Sequence, residues 1–84
     1  MPTVTLYTKP DCSLCDDARA AIVRVGSERR LDLREVDISG DPGLLAEYGE
    51  RIPVVLVDGE TAFELWVDEN ELRRRLNGAT EALS

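Results

Sequence analysis

The chain opens with a short stretch, residues 3–8, rich in β-branched and aromatic side chains, and this composition predicts a strand. Lys9-Pro10-Asp11 breaks it. Leu14, Ala18, Ala21, Ile22 and Val25 then recur at three- and four-residue spacing, so 13–25 predicts an amphipathic helix, with Gly26-Ser27 as its stop. Leu31, Leu33, Val36 and Ile38 mark a second strand whose alternation breaks around Arg34 and Glu35. Ser39-Gly40-Asp41-Pro42 predicts a turn into a helix, with Asp41 as N-cap and Pro42 at the first helical position. That helix carries Leu44, Leu45 and Tyr48 and closes at Gly49.

Pro53-Val54-Val55-Leu56-Val57 is wholly apolar, as expected of a central strand buried on both faces. Asp58-Gly59 signals a hairpin, and 61–66 supplies the returning strand. A last helix is expected over 68–76, with Leu72 and Leu76 four apart and Asn77-Gly78 ending it. Residues 79–84 are expected to fray. The element order is β-α-β-α-β-β-α, a βαβ unit followed by an antiparallel hairpin. Residues 1–84 are read as a single domain, without internal repeats or low-complexity segments.

Composition narrows the function. The 84 residues carry a net charge of −7, the reverse of the balance that nucleic-acid-binding modules show, so DNA and RNA are poor partners. No run of about 18 apolar residues occurs, so no membrane span is expected, and the N-terminus does not read as a signal peptide. We expect a cytoplasmic monomer. Histidine is absent, which removes the commonest general base and metal ligand. Two thiolates alone do not complete a tetrahedral zinc shell, so no metal site is assigned.

The chemistry concentrates in Cys12-Ser13-Leu14-Cys15, which holds both cysteines of the chain. A cysteine at a helix start meets free backbone N–H groups and the positive dipole end, which favour the thiolate. A second cysteine three positions on faces the first across one turn and can close a small disulfide. In a reducing compartment such a pair is more often redox-active or metal-binding than a structural staple. Cys12 is assigned as nucleophile and Cys15 as the resolving thiol. Asp11, Asp16 and Asp17 oppose a nearby thiolate, so only modest activation is expected.

Three features together resemble the glutaredoxin branch of the thioredoxin-like proteins over nearly the whole chain: the Cys12–Cys15 motif after the first strand, Ile52-Pro53 before the third, and the element order. The stretches "LYTKPDCSLC" and "DPGLLAEYGERIPVVLVDG" are similar to those of small bacterial glutaredoxin-like proteins. The resemblance implies an α/β thioredoxin-like fold, with a four-stranded mixed sheet and helices on both faces. It implies a cis bond at Ile52–Pro53 facing the cysteines, with the Ile52 backbone free to pair with an extended peptide or thiol. It further places Lys9 near the thiolate and the glutathione carboxylate, and Asp68 at the N-terminus of the last helix. Arg51 would pair with a substrate carboxylate, and a solvated loop arginine is the competing reading.

One departure stands out. Glutathione-using members carry a Gly-Gly pair after the hairpin, whereas this chain reads Phe63-Glu64-Leu65-Trp66-Val67-Asp68. Trp66 and Val67 are bulky where the family is small, which weakens the case for glutathione. Trp66 is expected to pack in the core at a strand end. The Arg73-Arg74-Arg75 cluster is read as complementing the last helix's C-terminal dipole.

The leading expectation is therefore a dithiol–disulfide oxidoreductase acting on a protein or low-molecular-weight disulfide. It needs no resident cofactor. Glutathione, another small thiol or a flavin-dependent reductase would re-reduce it. Two alternatives stay open: an iron–sulfur or metal-binding dimer built on the two cysteines, and a non-catalytic module that binds extended peptides.

Overall fold

A computed structural model describes residues 2–81, and its architecture follows from how the apolar stretches pair. Strand β1 (Thr3–Thr8) lies parallel to β2 (Asp32–Asp37) and antiparallel to β3 (Val54–Val57), which pairs antiparallel with β4 (Glu60–Glu64). The sheet order is β2-β1-β3-β4, so the two most apolar strands sit at its centre. Val54, Val55 and Val57 are buried, as a strand flanked on both edges requires. Asp58 (φ 51°) and Gly59 (φ 88°) both occupy the left-handed region that a tight hairpin turn demands. Register shifts between Val55 and Leu56, leaving Ala62 as the extra residue of a bulge.

Helix α1 (Ser13–Glu28) and helix α3 (Glu69–Glu81) pack on one face of the sheet. Ala18, Ile22 and Val25 of α1 and Leu72 and Leu76 of α3 meet Val4, Leu6, Val55 and Val57 there. Tyr7, from the other face of β1, meets Tyr48 of helix α2 (Pro42–Tyr48), with ring centroids 4.9 Å apart. Helices thus cover both faces, as expected of the mixed sheet.

The element boundaries show where tertiary context overrides local signals. Helix α1 runs through Gly26-Ser27 to Glu28 instead of stopping there. A Cβ at Gly26 would lie at an ordinary contact distance, 3.6 Å, from Leu31, so the glycine sits inside the helix and does not end it. Strand β2 starts at Asp32, and Ile38 belongs to a single 3₁₀ turn (Ile38–Gly40) with its side chain fully buried. The Asp41 cap holds: its carboxylate accepts from the Leu44 N–H at 3.1 Å, with Pro42 at the start of α2. Gly49 closes α2 where a Cβ would come within 2.5 Å of the Leu45 carbonyl oxygen.

Two corrections concern the C-terminal third. Strand β4 ends at Glu64 and does not reach Trp66, which is 65% exposed and outside the core. Helix α3 continues through Asn77-Gly78 to Glu81, and 82–84 lie outside the described residues. The three arginines therefore sit mid-helix and do not face a C-terminal dipole. Arg73 pairs with Glu28 and Glu69, while Arg74 and Arg75 pair with Glu71.

Candidate active site

The turn between β1 and α1 builds the site. Asp11 adopts φ 60°, a left-handed conformation that aspartate tolerates better than most residues. This turn delivers Cys12 in extended conformation as the N-cap of α1. The Cys12 Sγ accepts the Cys15 N–H at 3.2 Å, so the sulfur occupies the place where a capping oxygen usually sits. Backbone N–H groups at that end of the helix stabilise negative charge on it.

The two sulfurs differ in environment. Cys12 is half-buried, and Cys15, one turn into the helix, is 1% exposed. Burial pushes the Cys15 thiol above the ordinary cysteine range, and its contact with the Cys12 side chain adds to that. The Thr8 hydroxyl and the Lys9 backbone beside it pull weakly the other way. Cys15 therefore remains a thiol at neutral pH, poised next to Cys12.

An apolar cluster of Cys15, Ile38 and Ile52 joins the cysteines to the loop before β3, with Cys12, Tyr7 and Tyr48 packed against it. The Ile52–Pro53 bond is cis, and Pro53 is fully buried. Ile52 lies just outside the β3 ladder. The fold thus brings together Cys12, Cys15, the Lys9 backbone and the Ile52-Pro53 loop, the arrangement that the resemblance implies.

Arg51 and Asp68 stand differently. The Arg51 guanidinium lies 5.9 Å from the Tyr48 ring centroid and pairs loosely with Glu47 (3.7 Å) and Glu64 (3.9 Å). Asp68 caps α3, accepting the Asn70 and Glu71 N–H groups at 3.0 and 3.3 Å. Both side chains are already engaged within the chain. The Lys9 ammonium has no ion pair among the described residues.

Sequence reasoning missed the surface that begins at Leu14. The Leu65 N–H donates to the Pro53 carbonyl at 2.8 Å and to the Arg51 carbonyl at 3.1 Å, which ties the β4–α3 connection to the proline loop. Leu65 adopts φ 74°, unusual for a residue with a branched side chain. Leu14, Leu65 and Trp66 are all at least half exposed around one cleft. Leu14 sits within the cysteine motif itself, a signal that the sequence did offer. Among the described residues no cluster of three or more His, Cys, Asp or Glu is placed to hold a metal ion, and no helix is long and apolar enough to cross a membrane.

Comparison with known proteins agrees with this geometry. Residues 3–77 match the glutaredoxin-like domain family (DUF836). Uncharacterized proteins of Mycobacterium bovis and Mycobacterium tuberculosis are 36% identical over 84 residues, spanning 94% of this chain and 87% of theirs. A structural-genomics protein of X. campestris superposes with a TM-score of 0.75 at 32% identity, covering 89% of this chain and 96% of that one. A thioredoxin mutant from Halobacterium salinarum is similar in fold alone, with a TM-score of 0.67 at 18% identity over 92% of this chain and 73% of its own.

Proposed function

The chain belongs to the glutaredoxin-like domain family, and from that premise we propose that it is a dithiol–disulfide oxidoreductase. One observation carries the reading: the half-buried Cys12 sulfur caps α1 on the Cys15 N–H, directly above a buried thiol. In the first step the Cys12 thiolate attacks one sulfur of a substrate disulfide. A Cys12–substrate mixed disulfide forms, and the other substrate sulfur leaves as a thiolate that takes up a proton. Cys15 then loses its proton and attacks the Cys12 sulfur. The second substrate thiol leaves, and the Cys12–Cys15 disulfide remains, so two electrons have passed to the substrate. Two equivalents of a small thiol, or a flavin-dependent reductase, return the pair to its reduced state. The cytoplasm supplies both.

The raised Cys15 proton affinity suits this order. A resolving thiol that stays protonated does not compete for the incoming disulfide. The Ile52-Pro53 loop offers the backbone edge on which an extended substrate would lie.

Mass spectrometry of the wild type and of Cys15→Ser, equilibrated across glutathione redox buffers, tests the reading. A reversible Cys12–Cys15 disulfide is expected in the wild type, and a trapped adduct at Cys12 in the variant when a substrate disulfide is supplied. A pair that stays reduced across cellular potentials would overturn the proposal.

A further inference from the structure

The apolar surface that the catalytic pair leaves unused has a definite shape. A cleft of about 200 Å³ runs between α1 and the start of α3, beginning at Leu14 inside the cysteine motif. Ala18, Ala21 and Val67 also line it, and Leu65 and Trp66 stand at 50% and 65% exposure. Singly exposed apolar residues are ordinary, but three large ones around one cleft that begins inside the cysteine motif are not. Leu65 is held in its left-handed conformation by the proline loop, so the connection is fixed and not draped.

Charge decides what fits there. The cleft also carries Asp17, Arg24 and Glu69. Arg24 is spent on Glu69, donating to its carboxylate at 2.9 and 3.2 Å. With Arg24 and Glu69 offsetting each other, the lining keeps a net charge of −1 from Asp17, which is exposed and lies within electrostatic reach of Arg24. Next to the exposed pair, Glu64 holds Arg51, and the whole chain carries −7. A second copy would bring −7 against −7, and glutathione is itself an anion. The field and the cleft favour a cationic partner.

We propose that this cleft is a docking site for a polypeptide that presents an apolar side chain to Leu14, Leu65 and Trp66 and a lysine or arginine to Asp17. Such docking selects basic protein disulfides over glutathione as the substrate class of Cys12. The proposal rests on the oxidoreductase reading for the exchange, but its binding step stands independently of it.

Trp66 is the chain's single tryptophan, so its fluorescence reports occupancy directly. Two short peptides serve as probes, sharing a leucine and a serine in place of the disulfide cysteine, one flanked by lysines and the other by glutamates. The lysine peptide is expected to shift Trp66 emission and to bind at least about tenfold more tightly, which corresponds to about 1.4 kcal/mol. The preference is expected to shrink as salt rises and to invert in Asp17→Lys, with circular dichroism checking that the variant is folded. Equal binding, preference for the glutamate peptide or glutathione, or a concentration-dependent dimer that covers Trp66 would each overturn it. Reduction of a neutral small disulfide is measured in parallel. Selective binding without any exchange keeps the cleft proposal and removes the oxidoreductase reading. Exchange without selective binding does the reverse.

Discussion

Cys12 and Cys15 are three residues apart and differ in almost everything else. One caps a helix with its sulfur, and the other is buried a turn below it. That asymmetry predicts a clean division in mutants. Cys12→Ser is expected to lose exchange entirely, while Cys15→Ser still attacks and accumulates the mixed disulfide, as mass spectrometry of quenched reactions will show. The Cys15 thiol also links to stability. Its proton is held more tightly in the folded than in the unfolded chain, because burial disfavours the thiolate. The stabilisation is therefore complete below the ordinary cysteine range and drains away as pH rises from there through the raised value of the folded chain. Denaturant titrations of the reduced protein from neutral to alkaline pH are expected to show this decline, and Cys15→Ser to flatten it.

Among the elements, two glycines that look alike in sequence have opposite roles. Gly26 lies inside α1 with only ordinary contact distance to Leu31 above it. Gly26→Ala is expected to stabilise the protein by about 0.5–1 kcal/mol, the helix-propensity difference. Gly49 lies where a Cβ would meet the Leu45 carbonyl oxygen at 2.5 Å. Gly49→Ala therefore destabilises, and thermal denaturation of the two variants will separate them. Helices α1 and α3 are clamped by Arg24–Glu69 and Arg73–Glu28. The Arg24 guanidinium holds the Glu69 carboxyl below its usual range. The clamp's contribution is thus present above that range and lost as pH falls through the lowered value. Glu69→Gln is expected to reduce the acid-side slope of stability against pH, by a small amount because the pair is exposed.

Taken as a whole molecule, 84 residues leave little stability in reserve. The main core joins two helices to the two central strands, so its members are not interchangeable with surface positions. Leu72 is fully buried there, and Leu72→Ala is expected to cost about 2–5 kcal/mol, a large part of what a domain this size holds. Equilibrium urea unfolding will measure it. The same small core explains why Trp66 lies outside it. Strand β4 ends at Glu64, and the next residues are committed to reaching the proline loop and the α3 cap.

The residues by themselves determined the order of elements and the cysteine pair at a helix start, and their resemblance to known sequences gave the family. Those rest on local chemistry: apolar periodicity, the Asp41 cap, the Asp58-Gly59 turn and a cysteine at a helix start are all encoded within a few positions. Where local signals misled, a distant partner was the reason. Gly26 lies inside α1, where the helix continues to Glu28 against Leu31, and Asn77-Gly78 does not end α3. Arg51 reads as a free cation until Glu47 and Glu64 are placed beside it. Trp66 reads as core until β4 stops short, and the cleft it borders exists only because α1, the start of α3 and the β4–α3 connection converge there. Burial and pairing depend on neighbours far along the chain, and only the folded structure brings those neighbours together.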